Sequence, residues 1–456
     1  MEHELDLVVI GWGKGGKTLA GTMARAGQRV AIVEASDQMY GGTCINIGCV
    51  PTKALIHDAE TRTGNGFDPG YFDTAVQRRD KLTAAMRAKN FSMLDDLDSV
   101  MAITGRATFI GPRRIRIQAG DETLELGAKR IIINTGAVPQ IPNLGGVRIG
   151  GRIHDSTTLQ HAPLPKSLVV VGGGYVGTEF ASMFAHFGSK VTVLDRGPRA
   201  LKKEDEDVAA EVLGALGDVG VEVRTGASVQ SIGQDAGSAR VSYVQDGQTR
   251  EIEADAVLIA LGRTPATDWL DLAAAGIERT DSGAIKVDEH LRTTAEGVYA
   301  LGDVNGGPQF TYVSLDDNRI VADAILGAGT RSTADRIAVP STIFTTPPLA
   351  RVGLSEEAAR ARGLDIKVAV KKVAEIAAMP RPKIVGDPRG VIKFVVDANT
   401  DLVLGAALMH VDSQEVINLV ALAMRQGVTS ATLRDSIFTH PSSTEALKEV
   451  LGTFSR

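Results

Sequence analysis

The sequence predicts an α/β protein built on two Rossmann-like dinucleotide-binding domains, and two observations carry that prediction. A pattern of strand, glycine turn, helix and strand occurs twice, in LDLVVIGWGKGGKTLAGTMARAGQRVAIVEAS and in SLVVVGGGYVGTEFASMFAHFGSKVTVLDR. Each copy closes on an acid at the same distance, 34 − 11 = 23 positions from Gly11 to Glu34 and 195 − 172 = 23 from Gly172 to Asp195. A chain of 456 residues is long enough to bury a large core and to divide into several domains. Its net charge, 49 − 55 = −6, shows no basic excess, so nucleic acid and anionic membranes are not expected partners. No apolar run reaches the roughly 18 residues of a membrane helix. The opening MEHELDLVVIG lacks the positive region and long apolar segment of a secretory signal, so a cytosolic protein is expected.

In the first unit the apolar run LVVI suits a buried parallel strand. Gly11 permits a tight turn, Gly13 lets backbone N–H groups approach a pyrophosphate, and Gly16 lets the helix pack on the strand. The phosphates then face the positive end of a helix, and Glu34 is placed to hold a ribose hydroxyl. Gly172, Gly174, Gly177 and Asp195 repeat these roles. Two dinucleotide sites suggest a relay between a resident flavin and a visiting nicotinamide. Asp195 favours NADH, since a carboxylate repels a 2′-phosphate. Arg196 and Arg199 follow at once and offer that phosphate an alternative.

The chain has two cysteines, and both lie in GGTCINIGCVPTK, residues 41–53. Residues five apart in a regular helix have Cα atoms about 8.5 Å apart, whereas a disulfide wants about 4.4–6.8 Å. Cys44 and Cys49 can therefore bond only if the chain leaves regular helix between them, which Gly48 allows. So short a loop stabilises the fold little, and forced geometry makes a bond reducible. Placement and energetics favour a redox pair over a structural staple or two inert thiols. VPTKALIHDAE reads as a helix with Pro51 near its start. Lys53, four residues past Cys49, shares its helical face and is either a cation for thiolate or flavin, or a solvated lysine. His57 reads as an exposed helical residue.

On these residues the chain resembles the flavoprotein pyridine nucleotide-disulfide oxidoreductases of the glutathione reductase and dihydrolipoamide dehydrogenase type, nearly end to end. GGTCINIGCVPTK resembles the redox-disulfide signature, and NTGAVP at 134–139 the flavin-domain threonine–glycine turn. GRTP at 262–265 resembles the turn ending the nicotinamide domain, and YALGDV at 299–304 the second flavin motif. THPSSTEAL at 439–447 resembles the C-terminal His-Pro element. Within the family, GWGKGGKTLA, HVDSQEVIN at 410–418 and LRDSIFTHPS at 433–442 resemble the bacterial reactive-chlorine-resistance flavoproteins.

The resemblance implies a flavin-binding domain from 1–146 and 271–338, a nicotinamide domain at 147–270, and a C-terminal α+β dimerisation domain at 339–456. It implies tightly bound FAD held by Gly11, Gly13, Gly16, Glu34, Gly42, Thr43, Lys53, Thr135, Gly136 and Asp303, the last on the ribityl chain. NAD(P) would be held by Gly172, Gly174, Tyr175, Gly177, Asp195, Arg196 and Gly262, with Tyr175 covering the empty nicotinamide pocket. Electrons would pass from NAD(P)H through flavin to a Cys44–Cys49 disulfide. Cys49 would be the flavin-side sulfur and Cys44 the interchange thiol. Lys53 and Glu179 match an ion pair near the flavin, and Glu179 is expected on the first turn of its helix. His440, across an expected cis bond to Pro441, is the implied acid/base, with Glu445 fixing its tautomer. In the family this histidine comes from the partner subunit, so a homodimer is implied.

The implied substrate is a small oxidant such as hypothiocyanous acid, in keeping with an oxidative stress response, or copper(II). A dihydrolipoamide dehydrogenase is the principal rival, although its AHPTLSE is replaced here by THPSSTE. A copper reductase working directly from flavin is another. His57, His410 and the cysteines are conceivable copper ligands, but no metal-site spacing appears and no resident metal is expected. The ending EVLGTFSR carries no extra thiol pair of the mercuric reductase kind.

Overall fold

The computed structural model describes residues 5–64, 66–145 and 147–455. The chain forms two compact units. One takes the chain up to Leu55, then Asp73–Gln140 and Gly262–Arg336. The other takes Ile56–Phe72, Ile141–Leu261 and the chain from Ile337 onward.

The first unit opens with β1 (Leu5–Ile10), α1 (Lys14–Arg25) and β2 (Val30–Glu34). Four of the five β2 residues are buried, as a continuous apolar run in a doubly covered parallel sheet should be. The parallel order is Val100–Thr104, β2, β1, Glu122–Ile133, with Val298–Ala300 beyond. Strand Glu122–Ile133 serves two sheets. Its second half pairs with β1, and its first half pairs antiparallel with Arg114–Ala119. After β2 come α2 (Thr43–Asn46), α3 (Cys49–Thr61) and the long α4 (Pro69–Asp95). The GRTP turn returns the chain here: Arg263–Pro265 pairs with Ala137–Pro139 of the NTGAVP segment.

The second unit holds the other nucleotide motif. Its parallel sheet runs Glu222–Arg224, Lys190–Leu194, Ser167–Val171, Ala256–Ile259, Ile153–His154. The C-terminal part is a five-stranded antiparallel sheet, from Ser341–Ile343 through Leu349–Gly353, Val403–Met409 and Val391–Asp397 to Ile366–Lys372. Helix Ser413–Arg425 covers it through Val416, Ile417, Val420 and Ala421.

The chain changes unit after Leu55, Phe72, Gln140, Leu261 and Arg336, against borders expected at 146, 270 and 338, so Ile56–Phe72 leaves the segment expected as the first part of the flavin domain. Residue 146 lies outside the described residues, as do residues 1–4 of the N-terminal stretch and Arg456. The segments 147–270 and 339–456, expected as separate domains, fall largely in one unit because their cores merge. Leu201, Val208 and Val212 pack with Ile343, Leu349, Val391 and Met409. Beside them the buried Lys393 Nζ lies 3.1 Å from Asp205, 2.9 Å from Asp207 and 2.8 Å from Glu356.

Candidate active site

The first glycine turn is braced by residues far away in sequence. Gly11 has φ +97°, and a Cβ there would lie 2.5 Å from the Asn134 carbonyl oxygen. A Cβ on Gly13 would lie 2.5 Å from Asn134 Oδ1, and one on Gly16 2.8 Å from Val9 Cγ1. Asn134 is buried and spans two elements: its Oδ1 accepts from Gly16 N–H at 2.9 Å and its Nδ2 donates to the Leu301 carbonyl at 2.6 Å. Gly15 N–H donates to Ser314 Oγ at 3.1 Å. Glu34 sits at the end of β2 and accepts from Trp12 N–H at 2.9 Å. Burial pushes its carboxyl up, against the hydrogen bonds from Trp12, Ala35 and Ser36.

The signature loop closes onto this turn. Gly42 has φ +75°, and a Cβ there would meet Gly13 Cα at 2.7 Å. Thr135 Oγ1 donates to the Ala266 carbonyl at 2.8 Å, and Gly136, φ +73°, accepts from Ala266 N–H at 3.0 Å. Thr43 Oγ1 lies 3.9 Å from the Cβ position of Gly136. Asp303 follows strand Val298–Ala300; burial raises its pKa, with Arg263 opposing. Bare glycine backbone at a helix N-terminus, with acids at two strand ends, fits FAD. The chain would hold its pyrophosphate on the first turn of α1 and its hydroxyl-bearing chains on Glu34 and Asp303.

The chain does leave regular helix between the cysteines. Helix α2 stops at Asn46, and Ile47 and Gly48 both donate N–H to the Thr43 carbonyl, at 3.0 and 2.7 Å. The Gly48 bond spans five residues, one more than an α-turn, before α3 begins at Cys49. Gly48 supplies room rather than a left-handed backbone, since a Cβ there would sit 3.0 Å from that carbonyl. Both side chains are thiols in this structure, Cys44 half-buried and Cys49 exposed. They hydrogen-bond to each other, and that bond, burial and the charge of Cys49 push the Cys44 thiol up. Thr311, first residue of helix Thr311–Leu326, places Oγ1 3.8 Å from Cys49 Sγ.

Pro51 falls in the first turn of α3, Lys53 is half-buried and His57 is exposed on the same helix. Glu179 belongs to the second unit. It is the fifth residue of helix Tyr175–His186, not in its first turn as expected, and Oε1 accepts from Phe344 N–H at 2.8 Å.

In the second turn, Gly172 has φ +111°, and a Cβ on Gly177 would come within 2.0 Å of the Gly172 carbonyl oxygen. Gly174 is exposed, with nothing within 4 Å of a Cβ. Asp195 accepts from Gly173 N–H at 2.8 Å and Gly197 N–H at 2.7 Å. Tyr175 is half-buried; its hydroxyl donates to Glu204 at 2.6 Å, and burial with that neighbouring charge raises its pKa. Arg196 is exposed, whereas Arg199 donates to Glu357 at 3.2 Å and to the Glu204 carbonyl at 3.0 Å. Gly262, expected at the nicotinamide site, lies in the first unit, where its carbonyl accepts from Gln140 N–H at 2.9 Å.

The His440–Pro441 bond is cis, as expected, and so is Thr346–Pro347. His440 Nδ1 is 3.1 Å from both Glu445 oxygens, and Glu445 also accepts from Ser442 N–H at 3.0 Å. Burial opposes ionisation of Glu445, but the bonds from Ser442 and His440 prevail and hold its pKa down. The imidazole itself is open, with 71% of its side chain exposed. HVDSQEVIN packs beside this element: Ser443 Oγ donates to the Val411 carbonyl at 3.0 Å. His410 is fully buried, and burial holds its pKa down to about 4. Among the described residues no group of three or more His, Cys, Asp or Glu is placed to hold a metal, and no helix is long and apolar enough to cross a membrane.

Asn134, Ser314 and Thr311 are site residues that sequence reasoning missed. Their signal lies in contacts across 118, 299 and 262 positions, which no local spacing displays.

The profile of the family described as pyridine nucleotide-disulphide oxidoreductase matches residues 5–317, and that of its dimerisation domain residues 339–451. The chain is 47% identical over 449 residues to the probable pyridine nucleotide-disulfide oxidoreductase RclA of Escherichia coli K12, covering 98% of this chain and 99% of that protein. It is 33% identical over 465 residues to a dihydrolipoyl dehydrogenase of Geobacillus stearothermophilus, covering 99% and 97%. A mercuric reductase of Lysinibacillus sphaericus is also 33% identical over 465 residues, covering 100% of this chain and 83% of that protein. The solved structure of a Cu(II) complex of the HOCl-induced flavoprotein disulfide reductase RclA from E. coli superposes with TM-score 0.93 at 46% identity, over 99% of each chain.

Proposed function

The chain belongs to the pyridine nucleotide-disulfide oxidoreductase family, an FAD- and NAD(P)H-dependent flavoprotein family, and from that premise we propose that it reduces a small oxidant, hypothiocyanous acid or a similar reactive-chlorine product, at Cys44 and Cys49. Its dimerisation domain implies a homodimer. The observation that carries the reading is the thiol pair, set across a break in helix beside the first glycine cradle. FAD, when bound, supplies the two electrons from NAD(P)H that open the Cys44–Cys49 disulfide.

The chain's own residues do the rest. Cys44 thiolate attacks the sulfur of HOSCN; an S–S bond forms, the S–O bond breaks, and the departing hydroxide takes a proton from His440 to leave as water. Cys49 thiolate then attacks the Cys44 sulfur, expelling thiocyanate and restoring the disulfide. Glu445, accepting from Nδ1–H, holds the His440 ring so that Nε2 is the atom that takes up and gives the proton. In the dimer, His440 of one subunit serves the thiols of the other. Lys53 serves as the flavin-side cation, and Tyr175 covers the nicotinamide pocket until the nucleotide arrives. NADH is the preferred donor: a carboxylate, Asp195, closes the second glycine turn and would repel a 2′-phosphate, and Arg199 is engaged by Glu357. The protein works in the cytosol.

NADH turnover with hypothiocyanous acid as acceptor tests the reading, and Cys44→Ser should lower it at least about a hundredfold. Rapid dihydrolipoamide oxidation with NAD⁺ and slow oxidant reduction would overturn it in favour of the dehydrogenase. The Cu(II) complex of the E. coli relative supports a second reading, copper(II) reduction directly from flavin. Copper(II) reduction surviving replacement of both cysteines would favour that route.

A further inference from the structure

Cys44 must be a thiolate to attack, yet its hydrogen bond with Cys49, burial and the Cys49 charge push its thiol up, against the Thr311 hydroxyl and the charge of Lys17. That charge acts in the direction the attack needs. Lys17 lies on the first turn of α1, where its N–H donates to the Gly13 carbonyl at 3.0 Å. The Gly42 position is in contact with Gly13, so the start of α1 and the loop leading into α2 are packed together. Lys17 Nζ donates to Asn90 Oδ1 on α4. Asn90 is fixed in turn: its Nδ2 donates to the Met86 carbonyl at 2.7 Å, its carbonyl accepts from Trp12 Nε1 at 3.3 Å, and its side chain lies against Gly41. On the other side, Asn46 of α2 donates to the Tyr40 and Gly42 carbonyls, both at 3.0 Å, and accepts from Arg87 of α4 at 3.2 Å.

The half-buried ammonium is thus held on Asn90 of α4, whose side chain lies against Gly41 in the loop that leads into Cys44, and each of Lys17 and Cys44 favours the other's charged form. Burial and then Lys14, on the same helix, depress Lys17 to about 8, while Cys44 on α2 raises it; α4 faces it with the uncharged Asn90. A lysine at this depth is the kind whose charge a thiolate partner stabilises.

We propose that Lys17, held by Asn90, is a positioning residue for Cys44, its ammonium stabilising the thiolate that attacks the oxidant. The role rests on Cys44 being the interchange thiol, but its test does not require turnover. In a Cys49→Ser background, Cys44 is the chain's one remaining thiol, because the sequence has two cysteines. Its alkylation by iodoacetamide in the FAD-bound protein, followed between about pH 6 and about pH 10, reports the thiolate fraction. Lys17→Met should move the midpoint up by about one pH unit and slow alkylation at pH 7 about tenfold, and Lys17→Arg should restore most of it. A midpoint unmoved in Lys17→Met overturns the proposal. If Lys17→Met does not fold or bind FAD, Asn90→Leu, which releases the ammonium, carries the same two outcomes. Because neither oxidant nor NAD(P)H enters the measurement, failure of the oxidant-reductase reading would show separately, as Cys44→Ser keeping full turnover.

Discussion

A Cβ placed on Gly13 would stand 2.5 Å from Asn134 Oδ1, whereas one placed on Gly174, the same position of the other motif, would meet nothing within 4 Å. The first glycine is closed in both, by the Asn134 carbonyl at Gly11 and the Ala260 carbonyl at Gly172, so the contrast lies at the second glycine and in the side chains that brace each turn. Around the first, Asn134, Ser314 and Glu34 each take a backbone N–H, and two of these come from segments more than 100 positions away. Around the second, the partner is Asp195, within the same βαβ unit. The third glycine is closed in both, because the helix must touch the strand whether or not a ligand is held. What differs is how firmly the backbone at the second glycine is set. A turn clamped by distant residues suits a cofactor that stays, and an open one suits a nucleotide that comes and goes.

Gly13→Ala should therefore have the largest effect. The added methyl displaces a side chain engaged at both ends, and FAD retention after gel filtration should weaken at least about tenfold, or ~1.4 kcal/mol. Retention equal to that of the parent would remove the distinction between the turns. A second pair of variants, read by stability and not by FAD retention, separates the braces themselves. Asn134→Ala leaves the Gly16 N–H and the Leu301 carbonyl buried without their partner, at a cost of about 1–3 kcal/mol by urea unfolding. Asp195→Ala frees the Gly173 and Gly197 N–H groups but breaks no bond to a distant segment, and should cost about 0.5–1 kcal/mol. Equal losses would show that the bracing has nothing to do with which ligand stays.

The parts of this design carried by local spacing were legible in the sequence: both glycine turns, the acids that close them and the helix after Cys49, whereas the His440–Glu445 pair was implied only by the family resemblance and is brought together in the structure. The need for a helix break between Cys44 and Cys49 followed from geometry alone, although Gly48 meets it through space and not through a left-handed backbone. What stayed hidden depends on contacts between segments. Asn134 stood inside a recognised motif, but its bonds to Gly16 and Leu301 exist only after two strands are set side by side. Lys17 has the sequence signature of a solvated lysine; α4 arriving with Asn90 makes it something else. Glu179 reads as an N-terminal helix acid, and only the fold supplies Phe344 N–H as its partner. The change of unit at Gly262 follows from the pairing of Arg263–Pro265 with Ala137–Pro139, a register no composition shift announces.

The smallest effect is the most discriminating. Gly174 has an ordinary extended φ of −82° and ψ of −173°, so alanine fits its backbone without strain. Its Cβ meets no protein atom, so stability and FAD content should stay at parental values. The remaining cost is contact between the new methyl and the visiting pyrophosphate, and in an open turn the nucleotide can shift to relieve it. KM for NADH should rise by less than about threefold, under ~0.7 kcal/mol, with kcat held. A rise beyond about tenfold, or ~1.4 kcal/mol, would mean that the second turn also needs bare backbone against its phosphates. In that case the openness around Gly174 would describe the protein before NADH arrives and not the complex, and the difference between the turns would lie in their braces alone.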